Sequence, residues 1–309
     1  MDFLYLLEKI RIPVLNEFML AITTLGEETA FLVIAMILFW CVDKRRGYYV
    51  LCVGLFGSLI SQFMKITCRV PRPWVKDQNF TILEQAREAA SGYSFPSGHT
   101  QSAVGTLGAI AATEKRKWFA WLCITLAVLV GFSRMYVGVH TPADVLVGAL
   151  ISVILIFALY PLMVKTDKYI PYVLVALCTL SAVYLIFMKR THFPFHIEKD
   201  NLESAMKNAY TLIGTSAGLV LAYLVDKKRD FPVGAKLWVQ VLKVVVGLLL
   251  VLAVKEGLRK PLELLFNGSL VARAVRYFLV VVVAGILWPQ SFFKLSKIGC
   301  KEYVPERKE

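Results

Sequence analysis

Long apolar stretches separated by short charged segments dominate the chain. Nine of them read as membrane-spanning helices: 28–42, 47–67, 98–114, 118–134, 143–164, 169–189, 206–225, 237–256 and 271–288. A span needs about 20 largely apolar residues, and fewer where neighbours bury its ends. The first stretch is short. Residues 1–26 break the pattern, because Arg11, Pro13, Asn16 and Glu17 interrupt them while Phe3, Leu4, Leu6, Leu7 and Ile10 recur at helical spacing. This predicts an amphipathic helix lying at the membrane interface over 1–27, with a distorted tenth span as the competing reading. The fold class expected is all-α, a polytopic membrane protein of about nine transmembrane helices.

Composition agrees. Of 309 residues, 57% are hydrophobic and 18% charged, against about 45–50% and about 25% in soluble domains. A soluble enzyme, a disordered chain and a small secreted scaffold are excluded. The net charge of +13 would suggest nucleic acid in a soluble protein. Here loops at a membrane surface account for it, and no nucleic-acid partner is expected. Lys44-Arg45-Arg46, Lys115-Arg116-Lys117, Lys165 with Lys168, and Lys227-Lys228-Arg229 occupy every second loop, and the tail adds Lys294, Lys297 and Lys301. These predict the cytoplasmic face. The opposite face then holds 67–97, 135–142, 190–205 and 257–270, although it also carries Lys76, Arg87, Arg190, Lys199, Arg259, Lys260, Arg273 and Arg276. Cys41, Cys52, Cys68, Cys123, Cys178 and Cys300 show no paired spacing, so a disulfide framework is not expected. Five charges in the first 26 residues argue against a cleavable signal peptide.

Three polar clusters fall at helix ends on that opposite face. The first runs from Lys65 to Pro73. Pro71 and Pro73 stop the helix and push Arg72 into an extended turn, so Lys65 and Arg72 could grip one phosphate or, more plainly, snorkel to the interface. The second is Ser94-Phe95-Pro96-Ser97-Gly98-His99-Thr100. It reads as a helix start whose free N–H groups form an anion site, with Gly98 permitting close approach and His99 at the rim. The third runs from Ser133 to Asp144. Thr141 is a good N-cap and Pro142 takes the first helical position. Asp144, one turn in, could fix the tautomer of His140, or simply complement the helix dipole. Arg134 could bind phosphate or a lipid headgroup. Taken together, three cations, one anion-binding helix start and a His–Asp pair form the inventory of metal-free phosphoryl transfer. The residues alone do not choose which histidine attacks.

Lys65 to Pro73 (KxxxxxxRP), Pro96 to His99 (PSGH) and Ser133 to Asp144 (SRxxxxxHxxxD) resemble the three-part signature of the phosphatidic acid phosphatase type 2 superfamily. All three parts are intact and in order, and the resemblance covers roughly 28–165. It implies a helical phosphatase core, a phosphohistidine intermediate, and no metal or other cofactor. His140 resembles the nucleophile, Asp144 its orienting partner, and His99 the acid for the leaving oxygen and then the base for water. Lys65, Arg72, Arg134, Ser97 and Gly98 resemble the phosphate cradle. The domain organisation expected is 1–27 as the interfacial helix, 28–165 as the phosphatase core, and 166–309 as a three-helix extension with a cytoplasmic tail, although four of the apolar stretches, 169–189, 206–225, 237–256 and 271–288, fall within it.

The expected partners are a lipid phosphate substrate, or an isoprenoid diphosphate, and membrane lipids. The site would lie at the extracytoplasmic or lumenal face of the cell membrane or, in a eukaryote, the endoplasmic reticulum. Hydrolysis of a sugar phosphate, transfer of phosphate to another lipid, and phospholipid transport are the alternatives. The loop 74–93 is expected to cover the pocket or pack over the helix ends. The cations Lys255, Arg259, Lys260, Arg273 and Arg276 could bind or steer an anionic headgroup, or merely contact anionic lipid. His192 and His196 stand four apart, but Pro194 lies between them and no third ligand is evident.

Overall fold

The computed structural model describes residues 1–193 and 197–298; His196, Cys300 and Lys301 lie outside them. Every regular element among the described residues is helical. In chain order these are α1 (Asp2–Lys9), α2 (Pro13–Thr23), α3 (Glu28–Ile37, prolonged by a wider turn to Val42), α4 (Lys44–Cys68), the single turn α5 (Pro73–Lys76) and α6 (Gly98–Thr113). They continue with α7 (Lys117–Tyr136), α8 (Pro142–Met163), α9 (Ile170–Arg190), α10 (Lys199–Arg229), α11 (Leu237–Gly257), the short α12 (Arg259–Leu265) and α13 (Val271–Val282).

The protein is a multi-pass membrane protein. Seven described helical runs are long and apolar enough to cross a bilayer: those built on α4, α7, α8, α9, α10, α11 and α13. Segments Pro13–Gly26 and Glu28–Val42, bent by 56°, qualify only as a pair and would make an eighth. The stretch expected at 98–114 differs. It forms α6, of 16 residues, which at 1.5 Å per residue reaches only about 24 Å. It need not reach further, because α4, α7 and α8 surround it. Outward stripes such as Leu237, Val241, Val245 and Leu249 on α11 are exposed. Apolar stripes of that extent face lipid.

Local signals fix the helix ends. Asp43 Oδ1 accepts from the Arg46 amide at 2.9 Å and starts α4. Arg69, at φ 53°, ends it in the left-handed region, and Pro71 prevents resumption. Ser97 caps α6. Thr141 and Asp144 form a reciprocal capping box on α8, with Pro142 in the first turn. Two backbone bonds then tie these ends into one face: Ser94 N to Val70 O and Ser97 N to Asp144 O, both 2.9 Å. Gly148 permits this, since a Cβ there would lie 2.6 Å from the Ser97 carbonyl oxygen.

The N-terminal segment, expected as one helix, is two. Pro13 lacks the N–H needed to continue α1 and instead opens α2. Both pieces strap across the end of α7. Arg11 Nε donates to Tyr136 O at 3.0 Å, and Tyr136 OH donates to Asn16 Oδ1 at 2.8 Å. Tyr5 OH reaches Asp77 at 2.8 Å and Arg11 Nη1 reaches Thr81 O at 2.9 Å, so the strap also grips the loop after α5. On the opposite side of the core, α10 packs against α4, α9 and α13 and carries the C-terminal helices.

Candidate active site

The three motif-bearing ends converge. Lys65, Arg72, Ser97, Arg134, His140 and Asp144 are all buried, although charged side chains are rarely buried unless paired. Lys65 comes from the last turns of α4, Arg72 from the extended turn before α5, and Arg134 from the end of α7. His140 lies in the short connection to α8.

Asp144 is the hub. Its Oδ2 accepts from the Thr141 amide at 2.7 Å and from Ser94 Oγ at 2.6 Å, and lies 3.5 Å from His140 Nδ1. At the other side of the ring, Arg72 Nη1 is 3.0 Å from His140 Nε2. Arginine has only N–H groups to offer, so Nε2 accepts and the ring proton falls on Nδ1, toward the carboxylate. Burial, reinforced by Arg72, Arg134 and Lys65, holds the pKa of His140 well below the ordinary imidazole value. The ring is therefore neutral, with its lone pair on Nε2.

Arg72 is fixed almost completely by backbone: Nε to Gly92 O at 3.0 Å, Nη2 to Ser91 O at 2.8 Å and Nη1 to Val139 O at 3.0 Å. Lys65 Nζ donates to Tyr93 O. The loop 74–93 thus acts as scaffold as well as cover, since three successive carbonyls, 91 to 93, hold both cations. Phe80, Ile82, Ala86 and Ala90 bury its underside.

Arg134 is held differently. Nη1 donates to Thr23 Oγ1 at 2.7 Å, while Nε and Nη2 are buried without a partner among the described residues. His99 Nε2 is likewise buried and unpartnered. Unmet polar atoms of this kind, on two residues within electrostatic reach of each other, mark a place for an anion. Gly98 opens the same region: a Cβ there would meet nothing within 4 Å, so space, rather than a steric limit, lies over the first turn of α6. Gly26 is the reverse case. Its Cβ would stand 2.8 Å from the His99 carbonyl oxygen and from Val130, which seats the start of α3 directly on α6.

Two residues at this site were not singled out from sequence. Ser94 opens the second polar cluster, two residues before PSGH, but had no assigned part until the fold set it on Asp144. Thr23 lies 111 residues from Arg134, and no local signal marks it. Ser133, in the third motif, turns inward and donates to Val130 O at 2.7 Å. Among the described contacts, Lys255, Arg259, Lys260, Arg273 and Arg276 do not bond to the motif residues. Arg273 Nε donates to Thr211 Oγ1 at 2.7 Å, and Arg259 pairs with Glu263 at 3.4 Å.

Comparison with known proteins gives a consistent picture. The sequence model of the PAP2 superfamily matches residues 46–168, and that of the PAP2 superfamily phosphatase transmembrane extension matches 210–301. Undecaprenyl-diphosphatase BcrC of Bacillus subtilis is 30% identical over 42% of this chain and 65% of its own. Sphingosine-1-phosphate phosphatase 1 of Rattus norvegicus is 24% identical over 77% of this chain and 58% of its own. Undecaprenyl-diphosphatase of Sulfolobus acidocaldarius is 31% identical over 46% and 68%. The chain therefore spans less than two thirds of the length of the first two relatives.

Proposed function

Because the chain belongs to the PAP2 superfamily, we propose that it is an integral-membrane phosphatase that removes phosphate from a lipid phosphate or isoprenoid diphosphate through a phosphohistidine on His140. The observation that carries the reading is the polarity of the His140 ring: Nδ1–H toward Asp144 and the Nε2 lone pair toward a cluster of cations. In the proposed reaction Nε2 attacks phosphorus. Arg72 Nη1, which donates to that lone pair, turns its hydrogen bond to a phosphoryl oxygen as the Nε2–P bond forms and stays protonated throughout. Lys65, Arg134, the Gly98 amide and the Ser97 hydroxyl take the remaining equatorial charge. His99 protonates the departing oxygen, then takes a proton from water as that water attacks the phosphohistidine, which restores both histidines.

No metal enters this scheme, because Arg72, Arg134 and Lys65 supply the charge that a metal would. The catalytic unit is residues 28–165, with Thr23 of the N-terminal strap completing its cradle. The alternation of loop charge favours an extracytoplasmic or lumenal site. The relatives favour amphiphilic substrates, an isoprenoid diphosphate or a sphingoid-base phosphate.

The test is phosphate release by detergent-purified protein with a chelator present, wild type beside His140→Ala. The panel holds undecaprenyl diphosphate, sphingosine 1-phosphate, phosphatidic acid and glucose 6-phosphate. Release from a lipid that vanishes in the variant and is inhibited by vanadate is expected. Release that needs an added divalent cation, or that survives His140→Ala, would overturn the mechanism. Release from the sugar phosphate alone would overturn the substrate class.

A further inference from the structure

A second amphipathic site lies between the core and the C-terminal helices. An apolar cleft opens between α3, α10, α11 and α13, beside α4. Its walls are apolar: Leu32 and Met36 on α3, Leu219 on α10, Val251 on α11, and Val280 and Val281 on α13.

Helical spacing places charge at one end of it. Residues four apart on a helix share a face. Glu28 stands one turn before Leu32, Thr211 one turn before the lining residue Thr215, Lys255 one turn beyond Val251, and Arg276 one turn before Val280. Arg273, three residues before Arg276, ties this end together by donating from Nε to Thr211 Oγ1 at 2.7 Å. Glu28 is within electrostatic reach of Arg273 and Lys255, and Lys255 is 3.8 Å from Glu256. Arg273 and Lys255 thus face two carboxylates.

The unbalanced charge is Arg276. It is 8% exposed, and its buried Nε has no hydrogen-bond partner among the described residues. Its guanidinium and that of Arg273 lie 5.5 Å and 5.4 Å from the Tyr277 ring, so the two cations flank one aromatic side chain. A guanidinium sunk about one and a half turns into an apolar helix and left without an anion is costly.

We propose that these residues bind one anionic membrane phospholipid, its phosphodiester against Arg276 and Arg273 and one hydrocarbon chain in the cavity. The site is separate from the catalytic cradle and does not depend on the phosphatase reading. A phosphodiester carries the single negative charge that Arg276 lacks, and its two unesterified oxygens suit a guanidinium fork. The chain enters between the catalytic core and the extension and so adds to the contact between them.

The experiment uses full-length protein reconstituted in phosphatidylcholine vesicles doped with phosphatidylglycerol, then extracted in mild detergent. Native mass spectrometry counts the lipid retained per chain. Wild type and His140→Ala are each expected to keep one phosphatidylglycerol. Arg276→Gln removes the charge and Val280→Phe fills the cavity, and each is expected to lower retention about tenfold or more. Leu219→Phe fills the same space from α10 and gives the reading if Val280→Phe does not fold. Unchanged retention in Arg276→Gln or in the folded cavity-filling variant would overturn the proposal. So would equal retention of the two lipids by wild type, or loss of phosphatidylglycerol in His140→Ala.

Discussion

The Thr23–Arg134 hydrogen bond gives the sharpest test of how the phosphate cradle is held. Thr23→Val keeps the shape of the side chain and removes only the hydroxyl that accepts from Arg134 Nη1 at 2.7 Å. Nε and Nη2 of the same guanidinium have no other partner among the described residues, so its position rests on this one bond and on packing. A hydrogen bond to a charged group is worth about 1.5–3 kcal/mol. If that energy serves to aim Arg134 at the phosphoryl group, its loss reduces kcat/KM by about 10- to 100-fold. The assay is phosphate release from a lipid phosphate in detergent micelles, with Thr23→Ser as companion. Serine restores the acceptor without the methyl group and is expected to recover most of the rate. Full activity in Thr23→Val would refute the argument. Equal impairment of the valine and serine variants would show that Thr23 acts through packing and not through its oxygen.

Asp144→Asn preserves size but removes the carboxylate that holds His140 Nδ1–H, and a fall of roughly 10³–10⁴ in kcat is expected by analogy with catalytic triads; single-turnover kinetics would check it. Gly148→Ala drives a Cβ to 2.6 Å from the Ser97 carbonyl oxygen, which should cost about 1–3 kcal/mol of stability and also displace the start of α6, read as a lowered Tm and lost activity together. The depressed pKa of His140 sets a direction for pH. Below about 6.5, the ordinary imidazole value, the unfolded chain takes up a proton that the folded ring refuses, so stability falls as pH drops through and below that value. Thermal melts from pH 8 to 5 should show a shallower acid decline in His140→Gln than in wild type; identical slopes would contradict the assignment.

Much of the site was legible because its signals are local. Pro71 and Pro73 end α4, Ser97 starts α6, and Thr141, Pro142 and Asp144 start α8, each through bonds or clashes spanning at most one turn. Those signals, with the apolar run lengths, put Lys65, Arg72, His99, Arg134, His140 and Asp144 on one face before any packing was known. The same reasoning separated the charged loops from the lipid-facing stripes.

Run length could not say that α6 is too short to span alone, because α4, α7 and α8 relieve it of meeting lipid. Nor could hydrophobic periodicity show that 1–26 straps over α7, since the contacts that hold it (Arg11 to Tyr136, Asn16 to Tyr136 and Thr23 to Arg134) each join positions more than 100 residues apart. Ser94 and Thr23 gain their places only when distant helices pack. Arg276 differs from the other cations of the C-terminal helices in a way no sequence window shows: the fold buries it and gives its Nε no partner. Sequence determines which helices form and where they begin and end, because those preferences are set within a turn. Which polar groups meet, and which are left without a partner, depends on close contact between helices far apart in the chain, and only the tertiary structure decides that.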